Sequence, residues 1–367
     1  MRQNETTRKA GGEALGHSDR AVELWLICIA AMVALTAVVG AATRLTGSGL
    51  SITEWQPILG VLPPLGESAW LEAFEKYKQI PQYIELNRGM SLGDFKSIFW
   101  WEWTHRLIAR SIGLVFLVPF LVFWFTGRIH RGLVPRLIAI FALGGVQGAI
   151  GWIMVASGLS ERTSVSPYRL ALHLGCAVLI FALLVWTILE LRAVRRPRDV
   201  HLSTLTMGQW WRAMVLAPLV YLQILSGALV AGHKAGLTYN TWPLMDGRLI
   251  PNGLASLKPW WLNIFENITT VQFDHRVLAY VIVVLAAWQA VSVRRTADDE
   301  AVARSGLWLG LACAAQMGLG IWTLLAWVPL SLGVAHQAGA LVVLVVAVWH
   351  LFAVRQAGRE ARAPSKG

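Results

Sequence analysis

Four histidines near the starts of four long apolar segments could bind a metal. Two of them, His105 and His275, occur in similar stretches, Glu-Trp-Thr-His-Arg over residues 102–106 and Gln-Phe-Asp-His-Arg over residues 272–276. Each of the other two, His173 and His336, opens a further apolar segment. A neutral imidazole is the usual axial ligand of haem iron, and helix bundles build such sites from facing helices. Two pairs of histidines therefore indicate two haem sites, although one such histidine alone would more often bond between helices.

The elements that position these histidines must cross a membrane, because the chain is 56% hydrophobic and only 14% charged. Eight apolar stretches are each close to the ~20 residues that a helix needs to span a bilayer. They lie at about 22–42, 104–126, 134–156, 170–191, 213–232, 275–293, 306–327 and 332–354. They lack the alternation of a membrane barrel, and helices satisfy their own backbone hydrogen bonds in lipid. We expect an all-α membrane protein with eight transmembrane helices.

The net charge of +11 could indicate a nucleic-acid partner, but its distribution argues for membrane topology. Basic residues cluster in alternate connections and in the tail: Arg128, Arg131, Arg136, Arg192, Arg195, Arg196, Arg198, Arg294, Arg295, Arg304, Arg355, Arg359, Arg362 and Lys366. By the positive-inside rule, these segments and both termini are cytoplasmic, and the four histidines lie near the outer face of the membrane. We expect some contact with anionic lipid and no nucleic-acid partner.

The cysteines and the N-terminal residues give weaker signals. All three cysteines, Cys28, Cys176 and Cys313, fall within the expected spans, and their spacing favours buried thiols over disulfides or a metal site. No small-residue cleavage site follows the first apolar stretch, so we expect a retained span rather than a signal peptide.

The second half of the sequence repeats the first. The matches keep their order at offsets that fall from 187 to 163 residues, and they include Gly40 with Gly227, Trp55 with Trp242, Gln147 with Gln316, and His173 with His336. Each unit has an even number of spans, which predicts two four-helix bundles of the same orientation, related by a pseudo-two-fold axis. We place them at residues 1–200 and 201–367. Within each bundle the two histidines should face each other.

The halves differ most informatively at Glu102, whose counterpart is Gln272. Glu102 lies three residues before His105 and therefore on the same side of a helix. A carboxyl group in an apolar pocket could exchange protons with a bound substrate. Alternatively, Glu102 could cap the N-terminus of its helix, and the spacing favours neither interpretation.

Two arginines and two glutamines near the histidines are also repeated. Arg106 and Arg276 could bind the propionates of a macrocycle, but the safer interpretation is structural pairing with Glu102 and Asp274. Gln147 and Gln316 lie among glycines and are expected to serve close helix packing.

Together these motifs resemble the haem A synthase family, membrane enzymes that convert haem O to haem A for the terminal oxidase. The resemblance runs from Thr-Arg-Leu-Thr-Gly-Ser-Gly-Leu-Ser at residues 43–51, through residues 102–106 and 274–276, to His336. It implies eight helices in two pseudo-symmetric bundles. Some members have a cysteine pair in the first outer loop, which is missing here, so the chain is similar to the cysteine-lacking branch typical of proteobacteria.

The resemblance also implies roles for the candidate residues. His275 and His336 would be the axial iron ligands of a resident haem b cofactor. His105 and His173 would mark the haem O substrate site, with Glu102 as its required acidic residue. The implied reaction is successive hydroxylation of a ring methyl of haem O to a formyl group, with water as the oxygen source. Implied partners are haem O synthase (protohaem farnesyltransferase), an electron acceptor and a second copy of the chain.

Two other functions are open from the residues alone. A di-haem b membrane electron-transfer subunit would need haems near both faces, whereas the four histidines are expected at one level. A transporter or haem-delivery module would show broken helices and charges at the midplane, and these are scarce here.

Overall fold

The computed structural model describes residues 20–56, 59–160, 162–195 and 205–360. Over these residues eight helices are long and apolar enough to cross a membrane, which confirms the expected all-α membrane protein. They are α1 (Arg20–Leu45), α2 (Leu92–Phe125), α3 (Val134–Leu159), α4 (Pro167–Arg195), α5 (Met207–Gly232), α6 (Ile268–Thr296), α7 (Glu300–Leu325) and α8 (Leu330–Glu360).

The predicted start of the second span, at about residue 104, is wrong because α2 begins at Leu92. The side chain of Ser91 accepts a hydrogen bond from the backbone N–H of Asp94, and the Asp94 carboxylate accepts one from the backbone of Ser91. This reciprocal cap starts the helix in a stretch too polar to resemble a membrane span. His105 thus lies thirteen residues into its helix. Glu102 is well past the first turn and cannot cap the N-terminus.

The helices form two rings of four. In the first ring α1 packs against α2 and α4, and α3 packs against α4; in the second, α5 packs against α6 and α8, and α7 packs against both α6 and α8. The rings meet where α4 packs on α5 and α8 packs on α1. These contacts correspond in the two halves, as a parallel repeat predicts. The exact pseudo-two-fold relation stays a prediction, and the expected boundary at residue 200 lies outside the described residues.

One contact differs between the rings: α6 and α7 pack closely, whereas α2 and α3 touch through few residues. The rings of Phe116 and Phe141 stack between α2 and α3 with centroids 5.4 Å apart. Their counterparts, at repeat offsets of 170 and 169, are Ala286 and Gly310. A Cβ added at Gly310 would lie 3.5 Å from the backbone oxygen of Ala286, so the two backbones are close there. Small residues let α6 and α7 approach, and the phenyl rings separate α2 from α3.

The first outer connection folds over the first ring. It contains a short helix at Glu67–Tyr77, whose apolar face joins a buried aromatic cluster with the start of α2: Trp70, Phe74, Tyr77, Phe95 and Phe99. On its polar face, hydrogen bonds to the carboxylates of Glu54 and Glu72, each 2.8 Å long, raise the pKa of Lys76. The helix is thereby attached to the segment that leaves α1.

Some sequence-based expectations fall outside the described residues or need correction. Both termini lie outside them, as do the basic residues Arg196, Arg198, Arg362 and Lys366. All three cysteines are free thiols; Cys313 is buried and Cys176 is partly buried, but Cys28 is exposed on α1. The expectation of a buried thiol is therefore wrong for Cys28, because this position of α1 faces outward from the ring.

Candidate functional site

The four histidines lie on the four even-numbered helices. His173, His275 and His336 stand about two turns from the starts of α4, α6 and α8. The two histidines of each half lie on helices at opposite positions of their ring, His105 and His173 on α2 and α4, and His275 and His336 on α6 and α8. Binding one iron between two imidazoles requires such facing helices, but the sharing of an iron by either pair stays a prediction.

A glycine on the preceding helix lies against each imidazole. A Cβ added to the glycine would meet the Cε1 atom of the histidine at a clashing or nearly clashing distance: 2.9 Å for Gly40 and His105, 2.8 Å for Gly151 and His173, 3.2 Å for Gly227 and His275, and 2.8 Å for Gly320 and His336. Only a residue without a Cβ leaves this space for the imidazole ring. The four contacts hold the rings against the backbones of α1, α3, α5 and α7.

Three of the histidines also contact a glutamine four residues before that glycine. In each pair, the amide Nε2 lies near the histidine Nδ1 and donates to the backbone oxygen of the same histidine. The distances from Nε2 to Nδ1 and to that oxygen are 3.1 and 3.0 Å for Gln147 with His173, 3.2 and 3.0 Å for Gln223 with His275, and 3.1 and 2.7 Å for Gln316 with His336. Gln147 and Gln316, which were expected to serve close helix packing, thus also contact a histidine on the neighbouring helix. Residues four apart share a helix face, so each glutamine and glycine hold one ring together.

His105 is the exception. Thr36 occupies the position that corresponds to Gln223 at the offset of 187. The Thr36 side chain donates to the backbone oxygen of Met32 within its own helix, at 2.8 Å. The backbone oxygen of Thr36 lies 3.1 Å from His105 Nδ1. Because a carbonyl oxygen only accepts, Nδ1 carries the proton in this hydrogen bond, and the lone pair of Nε2 is left for a ligand.

Glu102 is only 2% exposed, and both of its carboxylate oxygens have donors. Oε2 accepts from the Ser51 hydroxyl at 2.7 Å and from the Ile52 backbone N–H at 2.8 Å. Oε1 accepts from Arg106 at 2.6 Å, which confirms the expected structural pairing of these two residues. A buried carboxylate would be costly without such partners. The arrangement fixes an acidic group within one helical turn of His105.

The second half has no acid at this place. Gln272 is 3% exposed and donates to the Tyr239 backbone oxygen at 3.1 Å, while its own Oε1 is buried without a partner. The guanidinium of Arg276 donates to the backbone oxygens of Tyr239 and Thr241, at 2.8 Å each, rather than to Asp274. The expected pairing with Asp274 is therefore wrong.

Equivalent backbone contacts occur in the first half. Arg106 donates to the backbone oxygens of Ile52 and Glu54, at 2.9 and 3.3 Å. These positions correspond to Tyr239 and Thr241 at the offset of 187. Each arginine thus attaches the outer connection of its half to the helix that carries the histidine. Propionate binding by either arginine stays a prediction.

The residues around His275 and His336 suit a haem. Arg276 Nε and Gln337 Nε2 are buried nitrogen donors without a partner, and an anionic carboxylate could accept from them. Over the described residues, no group of three or more His, Cys, Asp or Glu could hold a bare metal ion. Two imidazoles instead suit an iron whose other four ligands come from a macrocycle.

Known proteins resemble this chain over most of its length. Residues 23–348 match the family model COX15-CtaA, described as cytochrome oxidase assembly protein. A haem A synthase from Parvibaculum lavamentivorans is 53% identical over 334 residues, which are 91% of this chain and 94% of that protein. Haem A synthases from Chelativorans sp. and Brucella ovis are each 52% identical, over 92% of this chain and 91% or 93% of their own lengths.

Proposed function

Because the chain belongs to the COX15-CtaA family of cytochrome oxidase assembly proteins, we propose that it is a haem A synthase, an enzyme of haem A biosynthesis that acts on haem O. The observation that best supports this proposal is a difference in acidic residues between the two histidine pairs. Among the residues that the structure describes, a buried carboxylate, Glu102, lies beside the first pair only, and Asp274 beside the second pair is partly exposed. A pair without a buried acid suits a resident cofactor, and a pair with one suits a substrate that loses protons.

We assign haem b to the second half, where His275 and His336 would hold its iron. When bound, haem b supplies a one-electron redox centre. Gly227 and Gly320 leave room for the two imidazoles. The unpartnered donor Arg276 Nε supports this assignment, because it could donate to a carboxylate of the cofactor.

We assign haem O to the first half, between His105 and His173. The oxidation of a ring methyl to a formyl group, with water as the oxygen source, releases protons as well as electrons. In this proposal Glu102 accepts a proton at a carboxylate oxygen. Arg106 keeps that carboxylate in place through its 2.6 Å contact, and Ser51 and Ile52 orient it. A haem b bound in the second half would supply the redox centre for passing the electrons to an acceptor outside the chain.

The substitution Glu102→Gln tests the proposal, since it keeps the shape of the side chain and removes its ability to take a proton. Membranes supplied with haem O and containing the wild-type protein should accumulate hydroxylated and formyl porphyrins, measured by extraction and chromatography. The variant should form neither product and still retain haem b. Glu54→Gln is a matched control, because Glu54 lies on the outer connection that folds over the same ring, but its side chain is exposed and contacts Lys76.

Two results would contradict the proposal. Product formation by Glu102→Gln at the wild-type level would remove Glu102 from the reaction. Two permanently bound haems, with no formyl porphyrin from the wild-type protein, would favour the di-haem electron-transfer subunit.

A further inference from the structure

We propose that Gln223 and Gln316 are positioning residues that orient His275 and His336 as iron ligands, and that Gln147 does the same for His173. This inference rests on the proposed haem sites. It concerns how the chain itself sets the direction and the donor strength of each imidazole.

The first part of the argument is geometric. The amide nitrogen of Gln316 reaches both the ring of His336, at 3.1 Å, and the backbone oxygen of the same residue, at 2.7 Å. A single amide group thus fixes the ring relative to its own helix. Gly320 lies against the adjacent ring atom, since a Cβ there would lie 2.8 Å from Cε1. With Nδ1 and Cε1 both held against α7, the imidazole has little freedom to rotate.

The second part is chemical. An imidazole that binds iron through Nε2 carries its proton on Nδ1, and this proton needs an acceptor. The amide oxygens of Gln147 and Gln223 are buried and have no partner. Turning the amide would bring this oxygen to Nδ1–H, and the amide nitrogen would then give up its bond to the histidine backbone oxygen. In this second orientation the amide oxygen accepts the ring proton and makes the imidazole a stronger electron donor to the iron.

The third part is the contrast with His105. Its Nδ1 contacts the backbone oxygen of Thr36, and no side chain takes the place of the glutamine. Side-chain substitutions at position 36 therefore leave this hydrogen bond in place. The three amide contacts, in contrast, depend on the side chain at positions 147, 223 and 316. Position 36 is therefore a control for the three glutamine positions, because its contact with a histidine does not depend on its side chain.

Full-length protein purified with its haem allows a direct test. Gln223→Leu and Gln316→Leu should weaken haem b binding about 10- to 100-fold, as expected for loss of an outer partner of a metal-binding histidine. They should also change the low-spin spectrum of the haem that remains. Gln223→Glu should keep the haem but lower its reduction potential, because a carboxylate is a stronger acceptor for Nδ1–H. Thr36→Val should leave the haem b spectrum, affinity and potential unchanged.

The outcomes separate this inference from the proposed function. A wild-type protein that binds no haem b would overturn both. A wild-type protein with a low-spin haem b would overturn only the positioning role if both leucine variants kept its affinity and spectrum and Gln223→Glu kept its potential. A merely structural role would not predict the potential shift in Gln223→Glu, which retains the volume of the side chain and its fold.

Discussion

Gly151 and Gly148 lie on the same helix three residues apart, but only Gly151 lies against a histidine. A Cβ at Gly151 would lie 2.8 Å from His173 Cε1, whereas a Cβ at Gly148 would have nothing within 4 Å. Overpacking of this kind typically costs about 1–3 kcal/mol. We expect Gly151→Ala to lower the turnover of haem O about tenfold or more and Gly148→Ala to be close to wild type. Chromatography of extracted porphyrins measures both.

The same comparison applies to the half with His275 and His336, to which we assign haem b. A Cβ at Gly320 would lie 2.8 Å from His336 Cε1, and one at Gly318 would meet nothing within 4 Å. Gly320→Ala should therefore reduce the haem b content of the purified protein, while Gly318→Ala should not, as judged from the Soret absorbance per protein. Equal losses in both variants would show that α7 needs glycine for packing rather than for the imidazole.

At the residue scale, the sequence was enough to select the histidines and Glu102 as candidates, because they lie in repeated motifs whose chemistry is specific. The glutamines were harder to interpret. Gln147 and Gln316 lie among glycines that suggested packing, and Gln223 is matched by Thr36, so the repeat concealed it. The common spacing of four residues to Gly151, Gly227 and Gly320 was the available signal.

At the scale of helices, Glu23 connects α1 to α4 at the ends opposite the histidines. It is 3% exposed and lies 2.6 Å from Arg192 and 2.5 Å from Arg195. Glu23→Gln leaves two cations without their anion and should lower the free energy of unfolding by about 1–3 kcal/mol. Thermal unfolding in detergent measures this change.

The exposed pair of Glu300 and Arg304, 3.7 Å apart, provides a control for the Glu23 measurement. Glu300→Gln should change stability by less than about 1 kcal/mol, as is usual for surface ion pairs. A similar loss of unfolding free energy in both variants would mean that the burial of Glu23 does not strengthen its ion pairs.

His350 on α8 differs from the four candidate ligand histidines. It is 1% exposed, with Nε2 at 3.0 Å from Gln289 Nε2 on α6 and Nδ1 at 2.9 Å from Ser305 Oγ on α7. Both ring nitrogens thus have partners on neighbouring helices. We expect His350→Phe to lower the unfolding temperature, because Gln289 and Ser305 would be buried without their hydrogen-bond partner. The haem b spectrum of this variant should match that of the wild-type protein. Loss of the spectrum in a folded variant would contradict a purely structural role for His350.

Hydropathy predicted all eight spanning helices because the bilayer requires about 20 apolar residues in each. It missed the extension of α2 back to Leu92, which is held by the Ser91 cap and by packing of Phe95 and Phe99 against the outer helix. That packing depends on contacts with residues from another segment. Apolar windows contain no information about it.

For the whole molecule, charge distribution predicts that the connection between α2 and α3 is cytoplasmic and that the connection between α5 and α6 is periplasmic. Two exposed positions, Arg131 and Asn252, lie on these connections. In intact spheroplasts a membrane-impermeant thiol reagent should label Asn252→Cys but not Arg131→Cys, and permeabilisation should expose both. The wild-type protein controls for its own cysteines. The reverse labelling pattern would place the histidines on the cytoplasmic side.

The repeat gave the order and orientation of the helices, since matched motifs in sequence fall on matched helices in the structure. It gave no information about how tightly neighbouring helices pack. That property depends on side-chain pairs such as Phe116 with Phe141, which become neighbours only after folding.

The separation of α2 and α3 by this phenyl pair has a consequence for how a ligand would enter the first ring from the bilayer. In the first ring, side chains fill the gap between the two helix backbones, whereas in the second ring Ala286 and Gly310 bring the backbones together. If the proposed substrate enters the first ring from the bilayer, only side chains need to move at this place, and no helix. Under the proposed function, duplication followed by two changes of side-chain size would give one site that retains its haem and one site that exchanges it.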